Sequence, residues 1–324
     1  MKIDLRERQD LVHGAREVVP TERGVWMRRL TDEAHALYAI SEARAIRCRC
    51  GAGVRICFVS DTRAVALTVG LGRGEARPVY AADVVVDRDW RHPRTFGAEE
   101  AGRDYEARVE APGPGAHRYE IHLPHLCEAE VLSLEVDDGA SVSEAPFAGR
   151  PIAFIGDSIT QGMTSTSPTR CYATMVGEAL DRDYVNLSVG GAVMLAGIGK
   201  AALDYRWGTA FVAFGVNDWA WNRPLAEFAE DTRGMLRHLA SRDGAEIRIL
   251  TPLPFVRPGD KPHSEPLDAY RDCIRSVAAE FPKVQVIDGL GLVSPDPALF
   301  VDGLHPNDDG MRTMAAQLLR QLEI

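Results

Sequence analysis

The distribution of apolar residues divides the chain into two parts with different periodicity. In the first part, short apolar segments rich in β-branched residues follow one another and are separated by Gly, Pro and Asp: VRICFVSD, AVALTVGL, VYAADVVVD, HRYEIHLP and AEVLSLEVDDG. HRYEIHLP alternates, which puts Tyr119, Ile121 and Leu123 on one face. Successive short strands without helices between them are typical of an antiparallel sandwich or jelly roll.

Two segments precede most of these strands. GVWMRRLTDEAHALYAISEARA, from residue 24 to about 45, has weak helical periodicity and predicts a short helix. ARAIRCRCG follows and predicts a strand, in which Cys48 and Cys50 share one face because they alternate with arginines. We therefore expect a short helical leader before the sandwich.

From residue 152 onwards, apolar runs alternate with amphipathic segments such as LAEFAEDTRGMLRHLA and LDAYRDCIRSVAAEF. The runs are IAFIG, YVNLSVGG, TAFVAFGVND, AEIRILTPLP and VQVIDG. Continuous apolar strands alternating with helices predict an α/β fold of three layers, with a parallel sheet covered on both faces. GASVSEAPFAGRP, residues 139–151, has the composition of a connector. We therefore predict two domains, an N-terminal β-sandwich over 1–148 and an α/β domain over 149–324.

Composition narrows the possible partners. The chain has 324 residues, of which 45% are hydrophobic and 26% charged, enough for a sizeable core. Its net charge of −10 argues against a general affinity for nucleic acid or for an anionic membrane. No apolar run reaches the roughly 18 residues of a membrane span. The oligomeric state stays open.

Cysteine usage and the N-terminus bear on the compartment. The first ten residues, MKIDLRERQD, lack the apolar core of a secretory signal. None of the six cysteines forms a CxxC pair, so we expect reduced, mostly buried thiols in a cytoplasmic protein. A disulfide that involves Cys57 or Cys127 remains an alternative.

Polar motifs follow several strands of the second part. The run IAFI leads directly into GDS, which places Ser158 at the turn. A turn serine is ordinary, but a serine at the exit of a buried strand is also where a nucleophile can stand. Asn217 follows another strand, and DGLHPN brings Asp302 and His305 late in the chain. Because the carboxyl ends of parallel strands meet at one sheet edge, we expect these groups to converge there.

Acyl transfer from an ester requires a nucleophile, a base and donors for the developing oxyanion. Ser158 is the candidate nucleophile, and His305 is the candidate base because imidazole suits proton transfer at neutral pH. Asp302, three residues earlier, can bond the other ring nitrogen and orient it. The candidate oxyanion donors are the backbone N–H groups of Ser158 and Gly191 and the side-chain amide of Asn217.

Over residues 151–324 the chain resembles the SGNH (GDSL-type) hydrolases. GDSIT, NLSVGG, GVND and DGLHPN match the four sequence blocks of that family, in the family's order. The resemblance implies an α/β hydrolase domain without a cofactor, with Ser158 as nucleophile and Gly191, or alternatively Gly190, as the donor glycine. The first part is similar to the β-sandwich that precedes some carbohydrate acetyl esterases. Some of those enzymes use only a Ser-His pair, which leaves the role of Asp302 open.

Other candidate binding residues have competing explanations. Trp219 and Trp221 share one side if their segment is extended, and we expect them to line the substrate pocket, with plain packing as the alternative. His122 and His125 in HLPH lack a third ligand at a matching spacing, so we predict no metal. Three arginines could meet a charged substrate, although we favour a solvated surface role for them: Arg170, Arg223 and Arg257.

These observations together predict a metal-independent serine esterase with a Ser-His-Asp triad. The expected substrate is a small acyl ester, foremost an O-acetyl group on a carbohydrate or a glycosylated metabolite. One alternative is a thioesterase or lipase that acts on longer acyl chains. Another is a carbohydrate-binding protein whose hydrolase domain is idle.

Overall fold

The computed structural model describes residues 1–100, 102–256 and 263–322. Its strands, in chain order, are β1 (Val12–His13), β2 (Glu17–Pro20), β3 (Val25–Arg28), β4 (Arg55–Ser60), β5 (Ala64–Gly74), β6 (Ala82–Val86), β7 (Arg94–Phe96), β8 (Tyr105–Glu110), β9 (His117–His122), β10 (Cys127–Val136), β11 (Val142–Glu144), β12 (Ile152–Gly156), β13 (Tyr184–Asn186), β14 (Thr209–Ala213), β15 (Glu246–Leu250) and β16 (Val284–Ile287). Its α-helices are α1 (Asp32–Tyr38), α2 (Glu42–Arg49), α3 (Ser158–Gln161), α4 (Tyr172–Ala179), α5 (Ala196–Ala201), α6 (Val216–Ala220), α7 (Leu225–Ala240), α8 (Leu267–Ala278) and α9 (Asp308–Gln321).

The N-terminal strands form two antiparallel sheets packed face to face. One sheet has the order β2-β3-β10-β5-β8, and the other has the order β1-β4-β9-β6-β7 with β11 paired to β4. Both sheets contribute to a single apolar core, for example through Leu67 and Val131 from the first and Ile56 from the second. Tyr119, Ile121 and Leu123 also lie in this core, as their alternation predicts. The predicted β-sandwich is therefore confirmed.

The predicted helical leader differs from the structure. Residues Val25–Arg28 form a strand, and α1 and α2 come after it, between two strands of the sandwich. The segment ARAIRCRCG, predicted as a strand, is mostly the helix α2. Ser41 begins this helix because its side-chain oxygen accepts a hydrogen bond from the backbone N–H of Arg44. The alternation of Arg and Cys spans too few residues to outweigh that cap.

The second half contains a parallel sheet in the order β13-β12-β14-β15-β16, and each neighbouring pair is parallel. Alternate residues of β12 face opposite sides. Ile152 and Phe154 pack in one core with α4 and α9, and Ala153 and Ile155 pack in another with α5, α7 and α8. The predicted three-layer α/β architecture is confirmed, and it brings the loops after the strands to one edge.

The helices α1 and α2 pack against the α/β half rather than inside the sandwich. Ala34, Tyr38 and Cys48 belong to the same core as Ala153 of the central strand. Arg29 is fully buried nearby and donates hydrogen bonds to carbonyl oxygens of both halves. As a result, α2 lies along one side of the loop that follows β13.

The structure bears on two expectations from composition, the state of the cysteines and the lack of a membrane-spanning run. All six cysteines are free thiols, and five of them are buried. Among the described residues, no helix is both long enough and apolar enough to cross a membrane.

Candidate active site

The first strand of the parallel sheet leads into a tight turn that carries Ser158. Asp157 follows β12, and its side chain accepts a hydrogen bond of 3.0 Å from the backbone N–H of Ile159. This bond caps the short helix α3, whose first residue is Ser158. The serine is only 4% exposed and stands at the carboxyl edge of the sheet.

A continuous chain of hydrogen bonds connects the three predicted side chains. Ser158 Oγ lies 2.8 Å from His305 Nε2, and His305 Nδ1 lies 2.9 Å from Asp302 Oδ2. The other carboxylate oxygen of Asp302 accepts from the backbone N–H groups of Leu304 and His305. Gly303 makes this turn possible because its φ of +80° is a conformation that other residues rarely adopt.

The electrostatics of the carboxylates differ along this edge. Burial alone would raise the pKa of Asp302, but the hydrogen bonds from the ring and the backbone of His305 hold that pKa well below its usual range. Asp302 therefore stays ionised and can orient the imidazole. Burial raises the pKa of Asp157 to about 7, against which its bond from Ile159 has a smaller effect. Asp157 acts in the structure as a helix cap.

The loop after β13 presents backbone donors towards the same edge. The N–H of Gly190 donates to Gln161 Oε1 at 2.6 Å, so it is already engaged. The N–H of Gly191, whose φ is +81°, has no hydrogen-bond acceptor within the described part of the chain. Asn217 Nδ2 donates to the carbonyl of Ala192 at 2.8 Å, which fixes the amide beside this loop and leaves its second hydrogen for another acceptor.

Trp219 and Trp221 do not share one side, because Trp219 lies in the helix α6 and Trp221 caps the end of that helix, so the segment is not extended chain. Positions two apart on a helix point in nearly opposite directions. Trp219 is 7% exposed, donates from Nε1 to the carbonyl of Glu265 and packs against Phe255. Trp221 is 54% exposed, and its ring lies 4.7 Å from the guanidinium carbon of Arg44.

One residue of the sandwich touches the candidate triad and was not predicted. Arg77, in the turn that follows β5, donates from Nη2 to Asp302 Oδ2 at 2.8 Å. That oxygen is the one that faces His305 Nδ1. No local sequence signal marks Arg77, because the contact joins positions 225 residues apart.

Two of the three arginines that the sequence suggests for a charged substrate lie close to carboxylates of the protein. Arg223 forms ion pairs with Asp218 and Asp231. Arg170 lies 3.6 Å from a carboxylate oxygen of Asp308. Arg257 lies outside the described residues.

The two histidines of HLPH point to different surroundings. His125 Nε2 lies 3.0 Å from the carbonyl oxygen of Gly162. His122 has two carboxylate neighbours, Glu120 and Glu178, and one potential ligand atom from each of the three residues lies within 4.8 Å of the others. Glu178 could not be predicted from the spacing around HLPH, because it lies in α4, far along the chain. Arg118 Nε donates to Glu120 at 2.6 Å, so arginine charge already faces these carboxylates, and we assign the cluster no metal.

A parallel α/β sheet with a serine, an imidazole and a carboxylate in one hydrogen-bonded chain at its edge has the architecture of a serine hydrolase. Residues 154–313 match the model of the GDSL-like lipase/acylhydrolase family. This part of the chain therefore belongs to that family, and the protein is an ester-cleaving serine hydrolase. A comparison with curated protein sequences gives no match.

Solved structures share the fold over nearly the whole chain. A salicylyl-acyltransferase from a tetracycline biosynthetic pathway has a TM-score of 0.83 at 20% identity, covering 96% of this chain and 93% of the other. A family two carbohydrate esterase from Clostridium thermocellum, in complex with cellohexaose, has a TM-score of 0.64 at 16% identity, with 85% and 93% covered. An acetyl xylan esterase from Butyrivibrio proteoclasticus has a TM-score of 0.59 at 14% identity, with 84% and 89% covered. At these identities the likeness shows the fold alone.

Proposed function

We propose that the protein hydrolyses small acyl esters through an acyl-enzyme on Ser158. Ser158 Oγ attacks the ester carbonyl while His305 Nε2 takes its proton, and Asp302 holds the imidazole in the required tautomer. The imidazole then protonates the departing alcohol, and water releases the acyl group by the same route. The observation that carries this proposal is the hydrogen-bonded chain that joins Ser158 to a histidine 147 positions away.

The oxyanion of each tetrahedral intermediate needs donors that stand ready before the reaction. In the proposal these donors are the backbone N–H groups of Ser158 and Gly191 and the side-chain amide of Asn217. The engagement of Gly190 by Gln161 favours Gly191 over its neighbour. The bond from Asn217 to Ala192 supports the amide's role, because it holds the group in place without using both hydrogens.

For the substrate class, we propose an O-acetyl ester on a carbohydrate or a glycosylated metabolite. The names of two solved structures with this fold, a carbohydrate esterase and an acetyl xylan esterase, support this choice. The exposed ring of Trp221 is available to stack on a sugar ring at the rim of the site. We retain the division into a sandwich domain over 1–148 and a catalytic domain over 149–324 as part of the proposal.

The test compares wild type with Ser158→Ala on 4-nitrophenyl acetate and on esters of increasing acyl length. We expect wild-type turnover that favours the shortest chains, and a loss of at least about a thousandfold in kcat for the variant. Equal activity of the two proteins would overturn the proposal. A preference for long acyl chains would instead identify a lipase or thioesterase. An acyl-enzyme can also transfer its acyl group to an alcohol. The assay therefore includes an alcohol acceptor, and formation of a new ester in place of the free acid would identify an acyltransferase.

A further inference from the structure

Two cationic side chains from α2 lie against the loop that carries the proposed oxyanion donor. Arg47 Nη1 donates to the carbonyl of Gly190 at 3.0 Å. A methyl group built onto Gly191 would lie 3.3 Å from Arg47 Nη1 and 3.5 Å from Arg44 Nε. Both guanidinium groups therefore stand beside Gly191, whose N–H faces the reacting carbonyl in the proposed mechanism.

Among the described residues, neither arginine has an acidic partner. No ion pair connects Arg44 or Arg47 to a carboxylate in the described part of the chain, although the protein as a whole is acidic. The pKa of Arg44 is lowered, first by burial and then by the positive charge of Arg47. Two like charges are thus held close together next to the site.

Two other buried arginines of the chain have partners that Arg44 lacks. Arg55 is fully buried and pairs with Asp183 at 2.6 Å. Arg29 is fully buried without a carboxylate, but its Nε, Nη1 and Nη2 each donate to a backbone carbonyl. Arg44 is 6% exposed, and its guanidinium has neither kind of partner among the described residues.

The donors of Arg44 are nevertheless accessible to a ligand. Each of its guanidinium nitrogens lacks a hydrogen-bond partner among the described residues and retains some exposure to solvent. The exposed ring of Trp221 covers one face of this guanidinium. A guanidinium that is mostly buried and only partly hydrated is stabilised when an anion meets it, and its fork of donors matches a carboxylate or a phosphate.

We infer that Arg44 and Arg47 form an anion-recognition site beside the oxyanion loop, so that the ester substrate carries a carboxylate or a phosphate group near its reacting carbonyl. This inference rests on the proposed function. It assigns the N-terminal half a part in choosing the substrate, through α2. The sequence offered three other arginines for a charged substrate and not these two.

The experiment uses pairs of esters that differ only in one negative charge. Mono-(4-nitrophenyl) succinate and its methyl ester place the charge on the acyl side, and O-acetylsalicylate and its methyl ester place it on the alcohol side. We expect wild type to prefer the charged member of at least one pair about tenfold or more in kcat/KM, as for one charge-assisted hydrogen bond. Inhibition of neutral-ester hydrolysis by benzoate and by phenyl phosphate tells which anion is favoured.

The variants separate recognition from structure. Arg44→Gln and Arg47→Gln should each abolish most of the preference, and Arg44→Lys should keep part of it. Arg49→Gln is the matched control, since Arg49 lies on the same helix but is half-exposed and pairs with Glu128. A preference that survives in the double Gln variant overturns the inference. So does an equal loss on charged and neutral esters, which would mean that Arg47 merely holds the Gly190 carbonyl.

A binding measurement keeps the inference independent of turnover. Ser158→Ala protein is titrated calorimetrically with O-acetylsalicylate and with its methyl ester. Tighter binding of the charged ester, lost on adding Arg44→Gln, supports the anion site even if no ester is hydrolysed. Equal binding of the two, in a wild type that hydrolyses neutral esters without preference, overturns the anion site and leaves the proposed esterase standing.

Discussion

The two halves of the molecule supply groups to the candidate site in different ways. The α/β half places Ser158 and Asn217 in short helices that follow strands and His305 in a loop, each within a short motif. The sandwich half reaches the site through Arg77 in a turn and through α2, and neither lies in a motif. Asp302 Oδ2 has one partner of each kind. It lies against His305, three positions away in the sequence, and it accepts a hydrogen bond from Arg77, which is 225 positions away. In the proposed mechanism, local motifs supply the reacting groups, and distant contacts modify their surroundings.

The largest effect should come from the local partner. Asp302→Asn keeps the shape of the side chain but can donate a hydrogen bond to His305 Nδ1, which favours the wrong ring tautomer. We expect kcat on 4-nitrophenyl acetate to fall by about 10³–10⁴. Thermal unfolding of the variant provides the control for folding. A fall of less than about tenfold would show that Ser158 and His305 suffice as a pair.

The distant partner of the same carboxylate should matter less. Arg77→Gln removes a half-exposed cation, and we expect kcat/KM to fall by about tenfold or less. Because Arg77 and His305 Nδ1 share Asp302 Oδ2, the loss should appear in kcat while KM for 4-nitrophenyl acetate stays unchanged. Arg73→Gln, an exposed change at the end of the same strand, is the control and should leave both constants unchanged.

If Arg77→Gln instead lowered kcat as far as Asp302→Asn does, the distinction between the local and the distant contact would fail. If KM rose while kcat stayed unchanged, Arg77 would act on substrate binding and not on the carboxylate of Asp302. Both outcomes are read from the same kinetic series.

Much of the fold could be predicted because its periodicities are long and its strands are continuous. The alternation of HRYEIHLP and the apolar runs IAFIG and TAFVAFGVND identify the sandwich and the parallel sheet. The rule that loops after parallel strands meet at one edge then predicts that Ser158 and His305 approach each other.

The errors fall on short segments where period-two spacing is ambiguous. ARAIRCRCG alternates over only a few positions, and Ser41 before it caps the first turn of a helix. The prediction that Trp219 and Trp221 share one side assumes extended chain, whereas Gly215 precedes a short helix there. The roles of Arg44 and Arg77 depend on how the halves pack, and no local pattern encodes that packing.

The last expected effect is on stability and not on turnover, at the turn that holds the proposed nucleophile. Asp157 is fully buried, and burial raises its pKa in the folded state to about 7, from an ordinary value of 3.8. The folded protein therefore binds this proton more tightly than the unfolded chain does. The stabilisation is complete below the unfolded pKa and is lost as pH rises towards the folded pKa, on the order of 4 kcal/mol at most between the two.

Asp157→Asn should remove this pH dependence without removing the cap, because the amide oxygen can still accept the N–H of Ile159. We expect the free energy of unfolding of the variant, relative to wild type, to increase between pH 4 and pH 7.5 in urea titrations. Other buried acids such as Asp218, whose pKa burial raises to about 6, act in both proteins and cancel in the difference. Asp296→Asn changes an exposed cap of the same geometry and should show no such trend.

Parallel pH curves for wild type and Asp157→Asn would contradict this prediction. They would mean that the turn tolerates a buried carboxylate charge at position 157.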